Sequence, residues 1–445
     1  MVAGRYYIET YGCALAQFES LAMMELLERA GWVRVSDPGE ADVIVVNTCA
    51  VRLDTEQRIA DRLRWLSKRY PGRRIVVAGC LVRARPGLVA RSAPGASMLA
   101  PQAFHRVVEA ASGEKPVRIL SSERRVDWMP SRLVDRRRGL VATIMVQEGC
   151  LNNCSFCITK LARGGPKSYP PRVVVEAVRR AVEQGAREVR LTGTDTAAYG
   201  VDLPGKPSLA DLVGMILDKV EGDYRIRVGM MTPEMAMEIL DDLLDVYRDA
   251  RVYKFFHIPV QSGDDRVLEI MGRRYTVGEF RGLHARVKAA FPDSMFATDI
   301  IVGHPGEDEE AFENTVRLVE ELRFERVHLA QYSLRPHTRA AAMKQVSDSV
   351  KKERSKRLQK VIERVAGEIH AAYLGRRVEA LVVERGFRGG DSLVARMDNY
   401  FPIVVHGPES LLGERIEVDI TGYTFFDLRG RPATILGRPR YPRML

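Results

Sequence analysis

The sequence has no long apolar run, no internal repeat and no low-complexity tract. No apolar run reaches the roughly 18 residues needed to cross a bilayer. The stretch from Met1 to Thr10 lacks the apolar core, between basic and small residues, that marks a signal peptide. We therefore expect no membrane partner and a cytoplasmic location. Of the 445 residues, 46% are apolar and 28% are charged, which excludes disorder, collagen and coiled coil as the main content and allows two or three domains.

Acidic residues are in deficit. Lys and Arg number 68 against 58 Asp and Glu, a net charge of +10, which favours a polyanionic partner and says nothing about the fold. Residues 121–172 hold ten Lys and Arg against four Asp and Glu, an excess of six that includes Arg136, Arg137 and Arg138. We expect this stretch to bind phosphates, although a solvated loop without a partner would carry the same charge.

Cysteine is scarce and unevenly placed. The six cysteines form two groups of three: Cys13, Cys49 and Cys80, which are far apart, and Cys150, Cys154 and Cys157, which lie within eight residues. So few cysteines in a large chain that we expect to be intracellular argue against a disulfide framework and favour metal or redox chemistry.

Short apolar segments alternate with segments of helical periodicity, which predicts an α/β protein. Residues 1–125 are predicted to form a parallel α/β domain, with strands at 5–10, 42–47 and 74–79 and helices at 16–30 and 53–69. Residues 136–370 are predicted to form a second domain, with strands at 141–146, 188–192, 224–229, 252–259, 295–302 and 326–332 and helices at 173–184, 209–220, 311–322 and 351–373. Six β-α units in a row favour a partial (β/α)6 barrel over a closed eightfold one. Residues 371–437, with short strands and Gly and Pro turns, predict a small antiparallel β-barrel.

The segment Cys150-Leu-Asn-Asn-Cys154-Ser-Phe-Cys157 is the strongest chemical motif. Three thiolates at this spacing suit one corner of a four-iron four-sulfur cluster, whose fourth iron then has no protein ligand and can bind a substrate. The motif follows the first strand of the predicted barrel, on the face where such barrels keep their active sites. A structural zinc site is the alternative, but it needs a fourth Cys or His, and the nearest in sequence are His105 and His257.

Cys13, Cys49 and Cys80 each follow one of the three N-terminal strands. The carboxyl ends of parallel strands share one edge of a sheet, so these thiols are expected to converge on a second cluster. Any one of them alone would be read as a buried apolar cysteine.

These motifs resemble a known family. CxxxCxxC after the first barrel strand, with Phe156 before the last cysteine, resembles the radical S-adenosylmethionine enzymes. The resemblance implies that the open iron binds the amino and carboxylate groups of S-adenosylmethionine, which is cleaved to a 5'-deoxyadenosyl radical. YGCALAQFES, NTCAVRLDTEQR and AGCLVRARP resemble the N-terminal domain of methylthiotransferases, which end in a TRAM domain. GCLNNCSFCITKLARGGPKSYP and VYKFFHIPVQSGDDRVLEIM resemble most closely the archaeal and eukaryotic branch. Ala16 and His304 stand where the family usually has Asn and Phe.

The expected contacts to S-adenosylmethionine lie at the barrel strand ends. Thr192 and Thr194 suit the methionine ammonium and carboxylate, although both also fit ordinary turn positions. Arg163 would pair the cofactor carboxylate or a tRNA phosphate. Gln261 and Ser262 are expected to hydrogen-bond the ribose, and Ile301 and Val302 to give adenine an apolar edge. Phe156 and Asp299 complete the expected cofactor contacts. His257 and His304 are expected to be structural histidines with satisfied hydrogen bonds.

Aromatic residues are few, at 7% of the chain, but the C-terminal barrel interleaves some of them with arginines. Small barrels of this kind hold RNA by charge and stacking. The candidate RNA-binding residues are Arg376, Arg377, Arg385, Arg388, Arg396, Phe387, Tyr400 and Phe401. The aromatic residues would equally serve as the core of the barrel.

The resemblance implies a tRNA methylthiotransferase with two 4Fe-4S clusters and S-adenosylmethionine. It would convert N6-threonylcarbamoyladenosine at position 37 of tRNA into its 2-methylthio derivative, using an electron donor protein and a sulfur donor. Alternative substrates are isopentenyladenosine in tRNA or an aspartate of a ribosomal protein. A noncatalytic iron-sulfur or zinc protein that binds RNA through the C-terminal barrel is the competing class.

Overall fold

The computed structural model describes residues 3–121, 124–135, 139–386 and 390–437. Arg136, Arg137, Arg138, Phe387 and Arg388 of the sequence predictions lie outside these ranges. None of the described helices is both long enough and apolar enough to cross a bilayer.

The N-terminal domain is built on a parallel sheet, as predicted, with the strand order β2-β1-β3-β4-β5-β6. Its strands are β1 (Gly4–Thr10), β2 (Trp32–Arg34), β3 (Val43–Thr48), β4 (Arg74–Gly79), β5 (Ser97–Leu99) and β6 (Arg118–Ile119). Its helices are α1 (Ala14–Arg29), α2 (Leu53–Arg69), α3 (Cys80–Ala84), α4 (Pro86–Ser92) and α5 (Val107–Ser112), with 3-10 turns at Pro38–Glu40 and Pro101–Arg106. The strands β2, β5 and β6 were not predicted, because two or three residues carry no periodicity.

Alternate residues of β3 fill two separate cores. Val43 and Val45 pack with side chains of α1 and α5, whereas Ile44 and Val46 pack with those of α2 and α3. All four valine and isoleucine side chains are buried. A strand that is apolar on both faces lies inside a sheet covered by helices on both sides, which is why its sequence reads as an unbroken apolar run.

The central domain is a partial barrel. Its strands are β7 (Val141–Met145), β8 (Gln147–Glu148), β9 (Lys167–Ser168), β10 (Glu188–Thr192), β11 (Arg225–Val228), β12 (Phe255–His257), β13 (Met295–Val302) and β14 (Arg326–Gln331). Its helices are α6 (Thr159–Arg163), α7 (Pro171–Glu183), α8 (Leu209–Lys219), α9 (Pro233–Glu238), α10 (Leu240–Val246), α11 (Asp265–Met271), α12 (Val277–Ala290), α13 (Glu309–Leu322) and α14 (Asp348–Ala371), with 3-10 turns at Thr196–Ala198 and Arg339–Ala342. The parallel set β7-β10-β11 joins the parallel set β12-β13-β14 through a bridge between Ile226 and Val252. The predicted six-stranded arrangement is confirmed.

The C-terminal domain is a small closed barrel of strands β15 (Arg377–Arg385), β16 (Ser392–Arg396), β17 (Pro402–His406), β18 (Arg415–Tyr423) and β19 (Leu428–Leu436), with a 3-10 turn at Glu409–Leu411. The order around the barrel is β15-β16-β17-β19-β18. The predicted small barrel is confirmed, and its strand pairs are antiparallel except for β17 and β19, which run parallel. Strand direction cannot alternate all the way round a ring with an odd number of strands, so one parallel pair is unavoidable.

The C-terminal barrel covers the amino-terminal ends of the central strands. Leu140, just before β7, donates its N–H to the carbonyl of Val383 at 2.8 Å. Phe255 and Met295, the first residues of β12 and β13, belong to the same apolar core as Phe401. The carboxyl ends of the central strands therefore lie at the opposite mouth of the barrel, away from this domain.

Gly430→Ala tests how the small barrel closes. An added Cβ at Gly430, in β19, would lie 2.3 Å from Cγ1 of Val418 and 2.8 Å from the carbonyl oxygen of Asp419. We expect a loss of about 1–3 kcal/mol from this overpacking, measured as a lower Tm. Gly422→Ala is the control, since its Cβ would meet only Cβ of Arg429 at 4.0 Å. Equal Tm values for the two variants would contradict this packing.

Candidate active site

The loop with the three closely spaced cysteines lies between β8 and α6, at the carboxyl ends of the barrel strands. Gly149 starts the loop with a φ of +77°, and an added Cβ would lie 1.8 Å from the carbonyl oxygen of Gly165, so only glycine fits there. The N–H of Gly149 donates to Oγ1 of Thr194 at 3.1 Å. This hydrogen bond ties the loop to the end of the second barrel strand.

The three thiols of this loop are free and lie together. Burial raises the pKa of Cys150 to about 12, with further increases from Asp195, Cys154 and Cys157. Burial also raises the pKa of Cys154, which the positive charge of Arg273 opposes. Since thiolates are the metal-binding form, a bound cation would have to offset this burial.

The three widely spaced cysteines also meet. Cys13 precedes α1, Cys49 follows β3 and Cys80 begins α3, all at the carboxyl edge of the N-terminal sheet. An added Cβ on Gly12 would lie 3.8 Å from Sγ of Cys49. Burial raises the pKa of Cys80 to about 12; Arg163 lowers it and both Cys13 and Cys49 raise it, which places these groups close to one another.

Among the described residues, one trio has ligand atoms that all lie within 4.8 Å of one another, and it consists of His257, Asp299 and His328. In a four-iron cluster each thiolate binds a different iron, so three thiols of such a site need not lie within reach of one ion.

A cavity of about 900 Å³ reaches from Cys157 in the Cys150 loop to the segment that follows Cys49. Phe156 and Cys157 form one wall, and Val51 and Arg52, which follow Cys49, form another. Other lining residues are Asp54, Ile301 at the end of β13, Ser347 and Lys351 at the start of α14, and Arg335. This volume lies in the range of small-molecule pockets.

Two charged side chains beside the Cys150 loop each have one buried atom without a hydrogen-bond partner, and their charges fit the two ends of a methionine. Oε1 of Glu234 accepts from Nδ2 of Asn152 at 2.5 Å, but Oε2 is buried and unpartnered. Nε of Arg273 is also buried and unpartnered, and its guanidinium lies 5.8 Å from the ring centre of Phe156. The carboxylate matches an ammonium group, and the guanidinium matches a carboxylate. Sequence reasoning missed both residues, because each comes from a helix end that carries no chemical motif.

Gln261 has the features of a ligand contact. It follows the fourth barrel strand with a φ of +69°, a conformation that a residue other than glycine adopts only when its surroundings impose it. Its backbone is held by Asp299 and Ile301, at 2.8 and 3.0 Å, and its buried Oε1 has no partner. That free acceptor suits a ribose hydroxyl, in line with the sequence prediction.

The segment after β10 offers Asp195 as well as the two predicted threonines. Asp195 is buried and accepts from N and Oγ1 of Thr232 at 2.9 and 2.6 Å. Burial raises its pKa to about 6 despite these bonds. Thr192 is buried, and the hydroxyl of Thr194 already accepts from the Cys150 loop. The structure therefore gives Thr194 a part in holding that loop.

Several predicted contacts divide between the cavity and the core. Ile301 lines the cavity, whereas the side chain of Val302 is fully buried in the main core. Ser262 is 1% exposed, and its Oγ accepts from N of Asp264 at 3.3 Å. Asp299 accepts from Nε2 of His257 at 2.8 Å.

Arg163 forms ion pairs inside the fold. Its side chain is buried, and Nη1 contacts Glu19 of α1 at 2.8 Å and Glu148 of β8 at 2.7 Å. Arg124 pairs with the same two carboxylates. Burial lowers the pKa of Arg163, but Cys80, Glu19 and Glu148 together raise it well above its ordinary value. The guanidinium is thus engaged by these carboxylates and lies near Cys80.

The predicted RNA contacts of the C-terminal barrel are mostly occupied within the fold. Tyr400 and Phe401 are buried in the core of that domain, as the alternative reading had it. Arg377 pairs with Asp419, Arg385 pairs with Glu409, and the guanidinium of Arg396 lies over the ring of Tyr400. Arg376 lies against the ring of Tyr373.

The two singled-out histidines are partnered. His304 is fully buried between Oγ of Ser155 at 3.0 Å and the carbonyl of Pro305 at 2.8 Å, and burial lowers its pKa to about 4. It therefore links the Cys150 loop to the end of β13, at the position where the resembling family usually has Phe. His257 pairs with Asp299 as described above.

Three protein-family models match the chain: Radical SAM superfamily over residues 144–319, Uncharacterized protein family UPF0004 over residues 5–100, and TRAM domain over residues 371–433. The chain resembles the radical S-adenosylmethionine methyltransferase TsrM from Kitasatospora setae, with a TM-score of 0.57, 14% identity and 77% of each chain covered. That similarity shows the fold alone.

Curated relatives narrow the family. A probable threonylcarbamoyladenosine tRNA methylthiotransferase of Pyrococcus horikoshii is 39% identical, covering 92% of this chain and 95% of the relative. The protein of that name in Methanothermobacter thermautotrophicus is 38% identical, covering 94% and 98%. A tRNA-2-methylthio-N(6)-dimethylallyladenosine synthase of Chloroflexus aurantiacus is 36% identical, covering 96% and 91%. With its three domain matches and this coverage, the chain belongs to the methylthiotransferase family of radical S-adenosylmethionine enzymes.

Proposed function

We propose that this enzyme converts N6-threonylcarbamoyladenosine at position 37 of tRNA into 2-methylthio-N6-threonylcarbamoyladenosine, in the cytoplasm. The observation that carries the proposal is the pair of three-cysteine groups, each with its members close together, and the cavity that runs from Cys157 of one group to the segment after Cys49 of the other. The names of the archaeal relatives support the choice of substrate. The target C–H bond is unactivated, so acid-base groups alone offer no easy route, and a radical is needed.

Family membership implies a 4Fe-4S cluster and S-adenosylmethionine. Cys150, Cys154 and Cys157 would hold that cluster, which supplies the electron that generates a 5'-deoxyadenosyl radical. The second cluster, on Cys13, Cys49 and Cys80, is part of the proposal and would supply or carry sulfur, with a second S-adenosylmethionine as methyl donor. An electron donor protein and a sulfur donor are the partners that this chemistry requires.

In this proposal the side chains of the site bind and orient S-adenosylmethionine. Arg273 would pair with the methionine carboxylate and Glu234 with its ammonium group, which satisfies both unpartnered atoms. Oε1 of Gln261 would accept from a ribose hydroxyl, and Phe156 and Ile301 would give adenine apolar walls. These apolar walls also exclude water, which protects a reactive radical from side reactions.

Arg163 holds the two halves of the site together. It belongs to the central domain, yet its charge acts on Cys80 of the N-terminal domain and its ion pair reaches Glu19. A positive charge next to three thiolates offsets their mutual repulsion. In this proposal Arg163 stabilises the N-terminal cluster and leaves the cofactor carboxylate to Arg273.

The proposal is tested by digesting tRNA to nucleosides after incubation with the anaerobically reconstituted enzyme, S-adenosylmethionine and a reductant. We expect 2-methylthio-N6-threonylcarbamoyladenosine by mass spectrometry. tRNA carrying isopentenyladenosine is the matched control substrate and is expected to stay unmodified. Product on the control tRNA alone would overturn the substrate assignment, and failure to cleave S-adenosylmethionine would favour a noncatalytic RNA-binding protein.

Substitution of single cysteines separates the two clusters. Cys49→Ala is expected to lower bound iron from about eight to about four, to retain 5'-deoxyadenosine formation and to lose methylthiolation. Cys150→Ala is the complementary variant and is expected to lose 5'-deoxyadenosine formation. Iron content of about four in the unchanged protein, or full methylthiolation by Cys49→Ala, would remove the second cluster from the proposal.

Arg273→Gln tests the cofactor contact. Loss of the charge-assisted pair with the methionine carboxylate should raise KM for S-adenosylmethionine about 10- to 100-fold, measured by 5'-deoxyadenosine formation. Arg274→Gln is the matched control, because Arg274 is the exposed neighbour of the same loop and should leave KM unchanged. If both variants shifted KM equally, the assignment would fail.

A further inference from the structure

A second large cavity, of about 950 Å³, lies at the mouth of the central barrel opposite the cysteines. One wall consists of the amino-terminal parts of the central strands, and the other is the inner face of the C-terminal barrel. The arginines that face it are Arg190, Arg227 and Arg326 from the first and Arg396, Arg429 and Arg431 from the second. Strand β14 runs from this cavity to the active-site cavity, since Arg326 lines one and Gln331 the other, a span of about 16 Å.

Positive charge exceeds negative charge in this cavity. With Arg385, seven arginines line it, whereas the carboxylates paired with them are Glu188, Glu384, Glu409 and Asp427. Arg190 and Arg396 share Glu384, at 2.8 and 3.3 Å. Within the described ranges, Arg227 and Arg326 form no ion pair. Glu188 and Asp427 attract Arg227 and Arg326 only from beyond ion-pair distance, and burial still lowers the pKa of both arginines.

Arg227 is the most isolated of these groups. Its guanidinium lies 4.6 Å from the ring centre of Phe255 and 5.9 Å from that of Tyr400, and its buried Nε has no acceptor. Burial lowers its pKa, and Arg190 lowers it further. Since burying a guanidinium without an anion or full hydrogen bonding is costly, the arrangement calls for an external anion.

Arg396 and Arg326, which line the same cavity, are also incompletely compensated. Nε of Arg396 is also buried without an acceptor. Arg326 donates to the carbonyl of Phe426 at 2.5 Å and lies 5.6 Å from its ring centre. Burial lowers the pKa of Arg326, and the neighbouring Arg396 lowers it further. Arginines on separate walls therefore border one cavity, and two of them, Arg227 and Arg396, each have a buried Nε without an acceptor.

The same charges argue against a cation. His257, Asp299 and His328 have the donor set of a metal site and lie next to this cavity, which His328 lines. Burial lowers the pKa of His328 to about 4, and Arg326 and Arg227 act in the same direction. A second positive ion would meet these two arginines, whereas an anion is attracted by them.

We propose that this cavity binds a small polyphosphate anion of the size of a nucleoside triphosphate. Arginine forks bind phosphate oxygens in a bidentate manner, and several forks converge here. The volume falls in the range of small-molecule pockets. Arg227 lies against the buried rings of Phe255 and Tyr400, a depth that a slim phosphate chain reaches more readily than a folded RNA stem. The exposed ring of Phe426 at the rim gives a nucleobase a stacking surface. This site is separate from the one that carries the proposed methylthiolation.

The test is isothermal titration of the reconstituted full-length enzyme with inorganic tripolyphosphate and with GTP, in the presence of saturating S-adenosylmethionine. We expect one site per chain for each probe. Arg227→Gln and Arg326→Gln should each weaken binding about 10- to 100-fold. Arg69→Gln, which removes an exposed arginine from α2 in the N-terminal domain, should bind both probes with unchanged affinity.

Three results would overturn the proposal. One is the lack of saturable binding of either probe up to millimolar concentration. Another is equal affinity in the unchanged protein, Arg227→Gln and Arg326→Gln. The third is Arg227-dependent binding of an anticodon stem-loop RNA without binding of tripolyphosphate or GTP, which would assign the cavity to RNA. If Arg227→Gln does not fold, Arg326→Gln at the rim decides between the same outcomes.

Discussion

The buried ion-pair network of Arg163 and Arg124 with Glu19 and Glu148 is the interaction on which the active site depends. Glu19 comes from the first helix of the N-terminal domain, and Glu148 and Arg163 flank the Cys150 loop. All four side chains are at most 2% exposed. Removing one partner from such a network leaves a buried charge uncompensated, at a cost of about 3–5 kcal/mol. The network thereby ties the Cys150 loop to the N-terminal domain, which carries the other three cysteines.

The central barrel has two mouths with different chemistry. At the carboxyl ends of its strands, loops carry the thiols, Glu234 and Arg273, and the cavity there opens toward the N-terminal domain. At the amino ends, the C-terminal barrel packs against the strands through the apolar core that includes Phe255 and Phe401. Strand polarity accounts for the first mouth, because βα loops place functional groups at carboxyl ends. The cavity at the second mouth exists only because the C-terminal barrel packs there and contributes some of the lining arginines.

The sequence predicted the elements whose signal is local. The helix at 53–69 and the strands at 74–79, 188–192 and 295–302 match the structure to the residue. Convergence of Cys13, Cys49 and Cys80 was also predictable, since parallel strands end at a common edge. Strands of two or three residues were missed, as was the parallel pair in the small barrel, because neither leaves a periodic pattern.

The sequence did not reveal the roles of side chains whose partners are far away along the chain. Arg163 lies in the predicted loop, but its partner Glu19 is 144 residues away in sequence. Tyr400 was a candidate for RNA stacking and instead donates to buried Glu188, 212 residues away. Glu234 and Arg273 were overlooked because what marks them as ligand contacts, a buried atom without a partner beside the thiols, is visible only in the folded structure.

By itself the sequence determined the three domains, the two cysteine groups and the family, because periodicity, composition and motif spacing are written along the chain. Tertiary structure alone decided which charged side chains form ion pairs inside the protein and which remain available to a ligand. The physical reason is that burying a guanidinium or a carboxylate requires a partner, and the fold brings that partner from elsewhere in the chain.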